Sequence, residues 1–299
     1  MGSETTTPLP RIRACLFDMD GLLLDSEDKY TECTNAVLHE YGRPSLPWSV
    51  KAKLQGRPGP EAGKIFHDWA QLPISHEDFL ARQLKHQAEL FPTCAPLPGV
   101  ETLLKNLKGT DRNEVPDRVY LALATSSRKE TFEFKTAHLS ELFSVFKQEN
   151  KVLGDDVRIP KGRGKPCPDI YLLALETVNQ GIRERRAKGS QEVEVKPEEC
   201  LVFEDSVPGV EAGRRAGMQV LWVPHPGLLN EYKGKEKEVL AGSSGMEHAE
   251  LNAAGDQSDM LKAPGKIDDG WGRRIETLEA FPYDVYGIKI NDAASTGKL

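Results

Sequence analysis

No apolar run in this chain is long enough to span a bilayer, so a membrane-crossing helix is not expected. Positive charge is also in short supply. The formal net charge is −7, which argues against broad binding to nucleic acid or to an anionic membrane surface. Five cysteines, Cys15, Cys33, Cys94, Cys167 and Cys200, contain no C-x-x-C pair and are odd in number. A disulfide framework is therefore not indicated, and a reducing cytoplasm is. The opening "MGSETTTPLP" lacks the charged-then-apolar order of a secretory leader. Met1-Gly2 with Thr6 formally matches a myristoylation pattern, but a polar leader explains it as well. The histidines have no zinc-ligand spacing, and His67 reads as structural or solvated. Gly59 to Lys64 is one residue too short for a Walker loop, with Ile65 where Ser or Thr would stand. There is no internal repeat. At 299 residues the chain can form one large domain or two smaller ones.

What is present is a set of short apolar runs, Ala14 to Phe17, Val119 to Ala124, Cys200 to Phe203 and Val220 to Val223, that read as buried strands. Helical patterns separate them. In "VETLLKNLK", Val100, Leu103, Leu104 and Leu107 fall on one face. Such alternation predicts an α/β fold, a Rossmann-like parallel sheet with helices on both faces. Residues 26–95 have helical periodicity without a clear strand, and Ser75 with Asp78 resembles a capping box. This predicts a helical insertion, with the sheet domain made of residues 10–25 and 96–299. Polar stretches at 181–196 and 233–270 read as surface insertions. "RRIETLEAFPYDVYGI" looks more ordered and is expected to return to the core.

Each predicted strand delivers oxygen-bearing side chains. The first is followed by Asp18, Asp20 and Gly21, the second by Thr125 and Ser126, the third by Glu204 and Asp205. Open parallel sheets bind ligands beyond the carboxyl ends of their strands. Four acids in one crevice require a cation or a retained proton. Oxygen-only ligands suit Mg²⁺, with Asp18, Asp20, Glu204 and Asp205 as candidate ligands or orienters of its waters. Lys165, in "GRGKPCPD", can balance negative charge. In the helical interval, Gly56 and Gly59 flank Arg57, a planar donor fork able to reach the crevice.

The ordered set Asp18-x-Asp20-Gly21, Thr125, Lys165 and Glu204-Asp205 resembles the four motifs of the haloacid dehalogenase superfamily, over roughly residues 12 to 225. The helical interval resembles that superfamily's small cap domain. Within it, "DMDGLLLDSE", "ATSS", "VLGDD", "GKPCPDI" and "CLVFEDSVPGVEAGRRAGMQV" resemble the pseudouridine-5′-phosphatase group. Sugar-phosphate, glycerol-phosphate and phosphoglycolate phosphatases share much of this pattern. The resemblance implies a Mg²⁺-dependent phosphatase of small phosphomonoesters, pseudouridine 5′-phosphate among them. Asp18 would be the nucleophile and Asp20 the general acid and base, with a proton affinity above that of Asp18. Thr125 and Lys165 would contact the phosphoryl group, and Ser126, Gly21 and Arg57 the substrate. The implied protein is cytoplasmic, a monomer or weak homo-oligomer. The rival readings are a β-phosphoglucomutase-type mutase and a catalytically silent scaffold. Mutase relatives carry a histidine near the position of Tyr30, which favours water as acceptor here.

Overall fold

The computed structural model describes residues 9–56, 59–112, 117–243 and 265–290. Met1, Gly2 and Arg57, and positions 244–264 of the predicted second insertion, lie outside the described residues.

Six strands, β1 (Ala14–Phe17), β2 (Tyr120–Ala124), β3 (Lys151–Val152), β4 (Cys200–Glu204), β5 (Gln219–Trp222) and β6 (Gly272–Arg274), form one sheet. Their order is β3-β2-β1-β4-β5-β6, with every pairing parallel. Alternate residues enter two cores, one on each face. Cys15, Phe17, Leu201 and Phe203 face one, whereas Ala14, Leu16, Cys200 and Val202 face the other. Burial on both faces is why these strands read as unbroken apolar runs. The two-residue β3 and the Gly-Arg-Arg of β6 are too short and too polar to announce themselves in sequence.

After β1 the chain leaves the sheet for a helical lobe, α1 (Ser26–Glu40), α2 (Trp48–Leu54), α3 (Gly59–Ala70) and α4 (His76–Leu90). The lobe has its own core of Val37, Leu38, Phe66, Ala70 and Phe79. Ser75 caps α4, its hydroxyl accepting from the Asp78 amide at 3.0 Å. His67 is hydrogen-bonded to His76 at 2.8 Å. The chain then returns through α5 (Val100–Gly109), α6 (Lys129–Thr136), α7 (Ser140–Phe143), α8 (Asp169–Arg186), α9 (Val207–Arg215), α10 (Pro226–Glu231) and α11 (Glu236–Ala241). The predicted apolar face of α5 is buried at all four positions.

Residues 181–196 are not a loose surface insertion. Residues 181–186 continue α8, where Ile182 is fully buried, and Val195 closes over the same core. Asn179 fixes that closure, giving 2.9 Å to the Val195 carbonyl and taking 2.8 Å from its amide. The closing segment packs on the opposite core as expected: Leu278, Phe281, Tyr286 and Ile288 are buried, and the Phe281 ring lies 5.3 Å from Phe203. Among the described residues no helix is long and apolar enough to cross a membrane.

Candidate active site

Strand order reverses between β1 and β4, and the predicted residues meet at that point. The Asp18 amide donates to the Phe203 carbonyl at 3.1 Å, which carries the ladder one residue beyond β1. Met19 then turns fully into the core, leaving Asp18 and Asp20 on either side of it. Gly21 has φ +77°, and a Cβ there would collide with the Asp205 carboxylate and with Glu27. Only glycine lets β1 and β4 present their acids this closely.

Asp18 shares its cation. Lys165, 1% exposed, donates to Asp18 Oδ1 and to Glu204 Oε1, the latter at 2.6 Å. Glu204 also accepts from the Tyr171 hydroxyl, the Ser206 amide at 3.1 Å and the Ser206 hydroxyl at 2.9 Å. Asp205, 1% exposed, accepts from the Gln55 side chain of the helical lobe. Burial pushes Asp18 up to about 7, with Glu204 and Asp20 adding to the rise and Lys165 opposing it. Burial also holds Asp205 well above the carboxylate range, reinforced by Asp18, Glu204 and Glu27.

Asp20 has a cation of its own. Lys135, on α6 and fully buried, donates to Asp20 Oδ1. Hydroxyls of Ser26 at 2.6 Å, Ser127 at 2.5 Å and, more weakly, Thr125 at 3.4 Å point at the same carboxylate. Lys135 also reaches the Tyr30 phenol of the lobe at 3.2 Å. Burial alone would raise the Asp20 carboxyl, but Lys135, Ser127 and Ser26 outweigh it and hold Asp20 below its ordinary value. The expected order of proton affinities, Asp20 above Asp18, is thus inverted here. The cause is Lys135, which sequence reasoning missed.

The donor set fits a hard cation. Asp18 and Asp205 are buried neighbours of like charge whose lysine is shared with a third acid. A site with two carboxylates and a main-chain carbonyl suits Mg²⁺, which keeps several waters. Of the four acids expected at a metal, Glu204 has both oxygens taken by protein donors, and the Asp20 carboxylate is turned to Lys135. Asp18 and Asp205 remain. Consistent with so sparse a set, no group of three or more His, Cys, Asp or Glu side chains able to hold a metal occurs among the described residues.

Ser126 is half-buried, and the hydroxyl on Asp20 belongs instead to Ser127. Lys135 did leave a trace in the sequence: Phe132, Lys135, Thr136 and Leu139 share one helical face, where a single cation interrupts an otherwise uncharged stripe.

Three comparisons bear on this geometry. The model of the haloacid dehalogenase-like hydrolases matches residues 12–217. A Saccharomyces cerevisiae protein described as a probable pseudouridine-5′-phosphatase is 44% identical over 248 residues, covering 82% of this chain and 97% of its own. The mitochondrial (DL)-glycerol-3-phosphatase 1 of Arabidopsis thaliana is 36% identical, covering 76% of this chain and 68% of its own. In fold, the crystal structure of CbbY from Rhodobacter sphaeroides in complex with phosphate aligns with a TM-score of 0.55 at 23% identity, covering 72% of this chain and 88% of that one.

Proposed function

Because the chain belongs to the haloacid dehalogenase-like hydrolases, we propose that it is a phosphatase of small phosphate esters in which Asp18 attacks phosphorus and Asp20 moves the proton. Pseudouridine 5′-phosphate leads the substrate candidates, with sugar and polyol phosphates behind it. The observation that carries this reading is the pairing itself: two aspartates two residues apart, each against its own buried lysine.

Asp18 forms a bond to phosphorus while the bond to the leaving alcohol breaks, giving an aspartyl-phosphate. Arrival of the anionic phosphoryl group beside Asp20 raises that carboxyl's proton affinity. Asp20 then gives its proton to the leaving oxygen, and later takes one from the water that hydrolyses the intermediate. Lys165 offsets charge at the nucleophile, and Thr125, Ser126 and Gly21 lie within the crevice for the phosphoryl group. The helical lobe, residues 26–95, is the cap. Mg²⁺, held by Asp18, Asp205 and the Asp20 carbonyl, supplies neutralisation of phosphoryl charge when bound. Arg57 sits in the cap loop as a further candidate contact to substrate.

A mutase is the less favoured reading. The Tyr30 phenol hydrogen-bonds Lys135, and burial raises its ionisation above the ordinary value. It is therefore ill-suited to exchange protons with a second alcohol near neutral pH. Five buried, free cysteines suit a cytoplasmic setting, and we place the protein there as a monomer or weak homo-oligomer acting on a small phosphorylated metabolite.

The test is phosphate release from a panel of nucleoside, sugar and polyol phosphates with Mg²⁺. Asp18→Asn is expected to lower turnover by ~10⁴-fold or more while leaving the fold intact. EDTA is expected to stop the wild type and Mg²⁺ to restore it. A protein that releases phosphate from no ester, or an active Asp18→Asn variant, would overturn the reading.

A further inference from the structure

Gln55 ends the second helix of the lobe and is 6% exposed. Its side-chain nitrogen donates to Asp205 Oδ2. Its Oε1 is buried and has no hydrogen-bond partner. The orientation is set by chemistry, because an ionised carboxylate only accepts, so the amide must turn its NH₂ toward Asp205. Orphaned buried acceptors are uncommon in native proteins and call for an explanation.

The loop that carries Gln55 is pressed onto the core. Gly56 follows with φ +75°, and a Cβ there would collide with the Ser206 side chain. The Gln55 amide, the Gln55 backbone bond to the Lys51 carbonyl at 3.0 Å and the Gly56 seat together fix where the amide lies. One end is committed to the core acid, and the other is left for a ligand.

We propose that Gln55 is a specificity-determining residue: its Oε1 accepts a hydrogen bond from a hydroxyl of the leaving alcohol. This rests on the phosphatase reading and adds a selection rule to it. An acceptor selects donors, so esters of polyols, sugars and nucleosides are favoured over plain aryl or alkyl phosphates. Asp205 adjoins the proposed nucleophile, so the hydroxyl read lies close to the ester on the sugar or polyol carbons. A distant base is not what this group reads.

The test compares wild type with Gln55→Met, which keeps volume and removes both hydrogen-bonding functions, on two substrates. One is the best hydroxylated ester of the panel and the other is phenyl phosphate. Gln55→Met is expected to lose kcat/KM by about 10- to 100-fold on the hydroxylated ester and by less than about threefold on phenyl phosphate. Gln55→Asn, which keeps the amide but withdraws it by one methylene, is expected to show the same selectivity with a smaller loss. It serves also if Gln55→Met does not fold, as a thermal melt will show. Equal losses on both substrates would overturn the proposal and make Gln55 a support for Asp205. Unchanged rates on both would overturn it as well. Wild-type protein inactive on phenyl phosphate and on every hydroxylated ester would instead remove the phosphatase reading, and this one with it.

Discussion

Asp18 and Asp20 stand two residues apart, both are buried, and each touches a buried lysine. Their proton affinities nevertheless move in opposite directions, Asp18 up to about 7 and Asp20 below its ordinary value. Distance to a cation does not explain this, since both lysines are in contact. The number of acids per cation does. Lys165 serves Asp18 and Glu204 together, with Asp205 alongside, whereas Lys135 has Asp20 as its one carboxylate partner among the described residues. Three neutral hydroxyls complete the Asp20 shell. The Asp18 side therefore carries an unmet negative charge and attracts a cation, while the Asp20 side is already balanced. A nucleophile and a proton carrier need that difference.

The strongest way to break the comparison is to remove the unshared lysine. Lys135→Met leaves Asp20 buried without a counter-charge, a change that typically costs about 3–5 kcal/mol of stability or forces the acid to take a proton. Phosphatase kcat/KM is expected to fall by about 100-fold, with the acid limb of its pH profile moved upward. An unmoved limb would mean that Lys135 does not govern Asp20.

A smaller effect sharpens the other side. An acid whose folded-state proton affinity is raised binds more protons folded than unfolded, so stability falls as pH rises. For Asp18 the window runs from 3.8 to about 7. In chelator, the Asp18 side is therefore expected to lose stability between about pH 4 and 7. Mg²⁺ takes over from the proton above that window. We expect Mg²⁺ to raise the melting temperature by about 5 °C at pH 8 and by less than about 2 °C at pH 5. Equal shifts at both values would dissociate the cation from these carboxyls. The smallest effect is at Tyr30. Tyr30→Phe deletes one neutral partner of Lys135 while keeping the ring that lies 4.8 Å from Phe91, so about 1 kcal/mol of stability and less than about threefold in activity are at stake. A loss comparable to that of Lys135→Met would make the phenol part of the proton machinery.

The motif residues were legible because strand ends and turn chemistry are local. Asp18, Thr125 and Asp205 each follow an apolar run, and a parallel sheet sends such positions to one edge. The partners that decide their chemistry were not legible. Lys135 lies 115 positions from Asp20, and Gln55 150 positions from Asp205. Both contacts arise from how α6 and the lobe pack on the sheet, which no local pattern encodes. Lys135 reads in isolation as a solvated helical cation, the common fate of lysine. The same limit explains residues 181–196, whose polar composition hid the two apolar anchors, Ile182 and Val195, that fasten them.

The sixth strand has a bearing on how the molecule behaves in a crowd. Without it, β5 would end the sheet with a bare row of amides and carbonyls beside Val220, Leu221 and Trp222, a ready template for another chain. The returning Gly272, Arg273 and Arg274 take up that pairing and move the boundary outward by one strand. What faces solvent there is then a three-residue edge with two exposed arginines. Two copies approaching edge to edge would meet as like charges over a strip too short to zip, so the tail guards the sheet against runaway self-pairing.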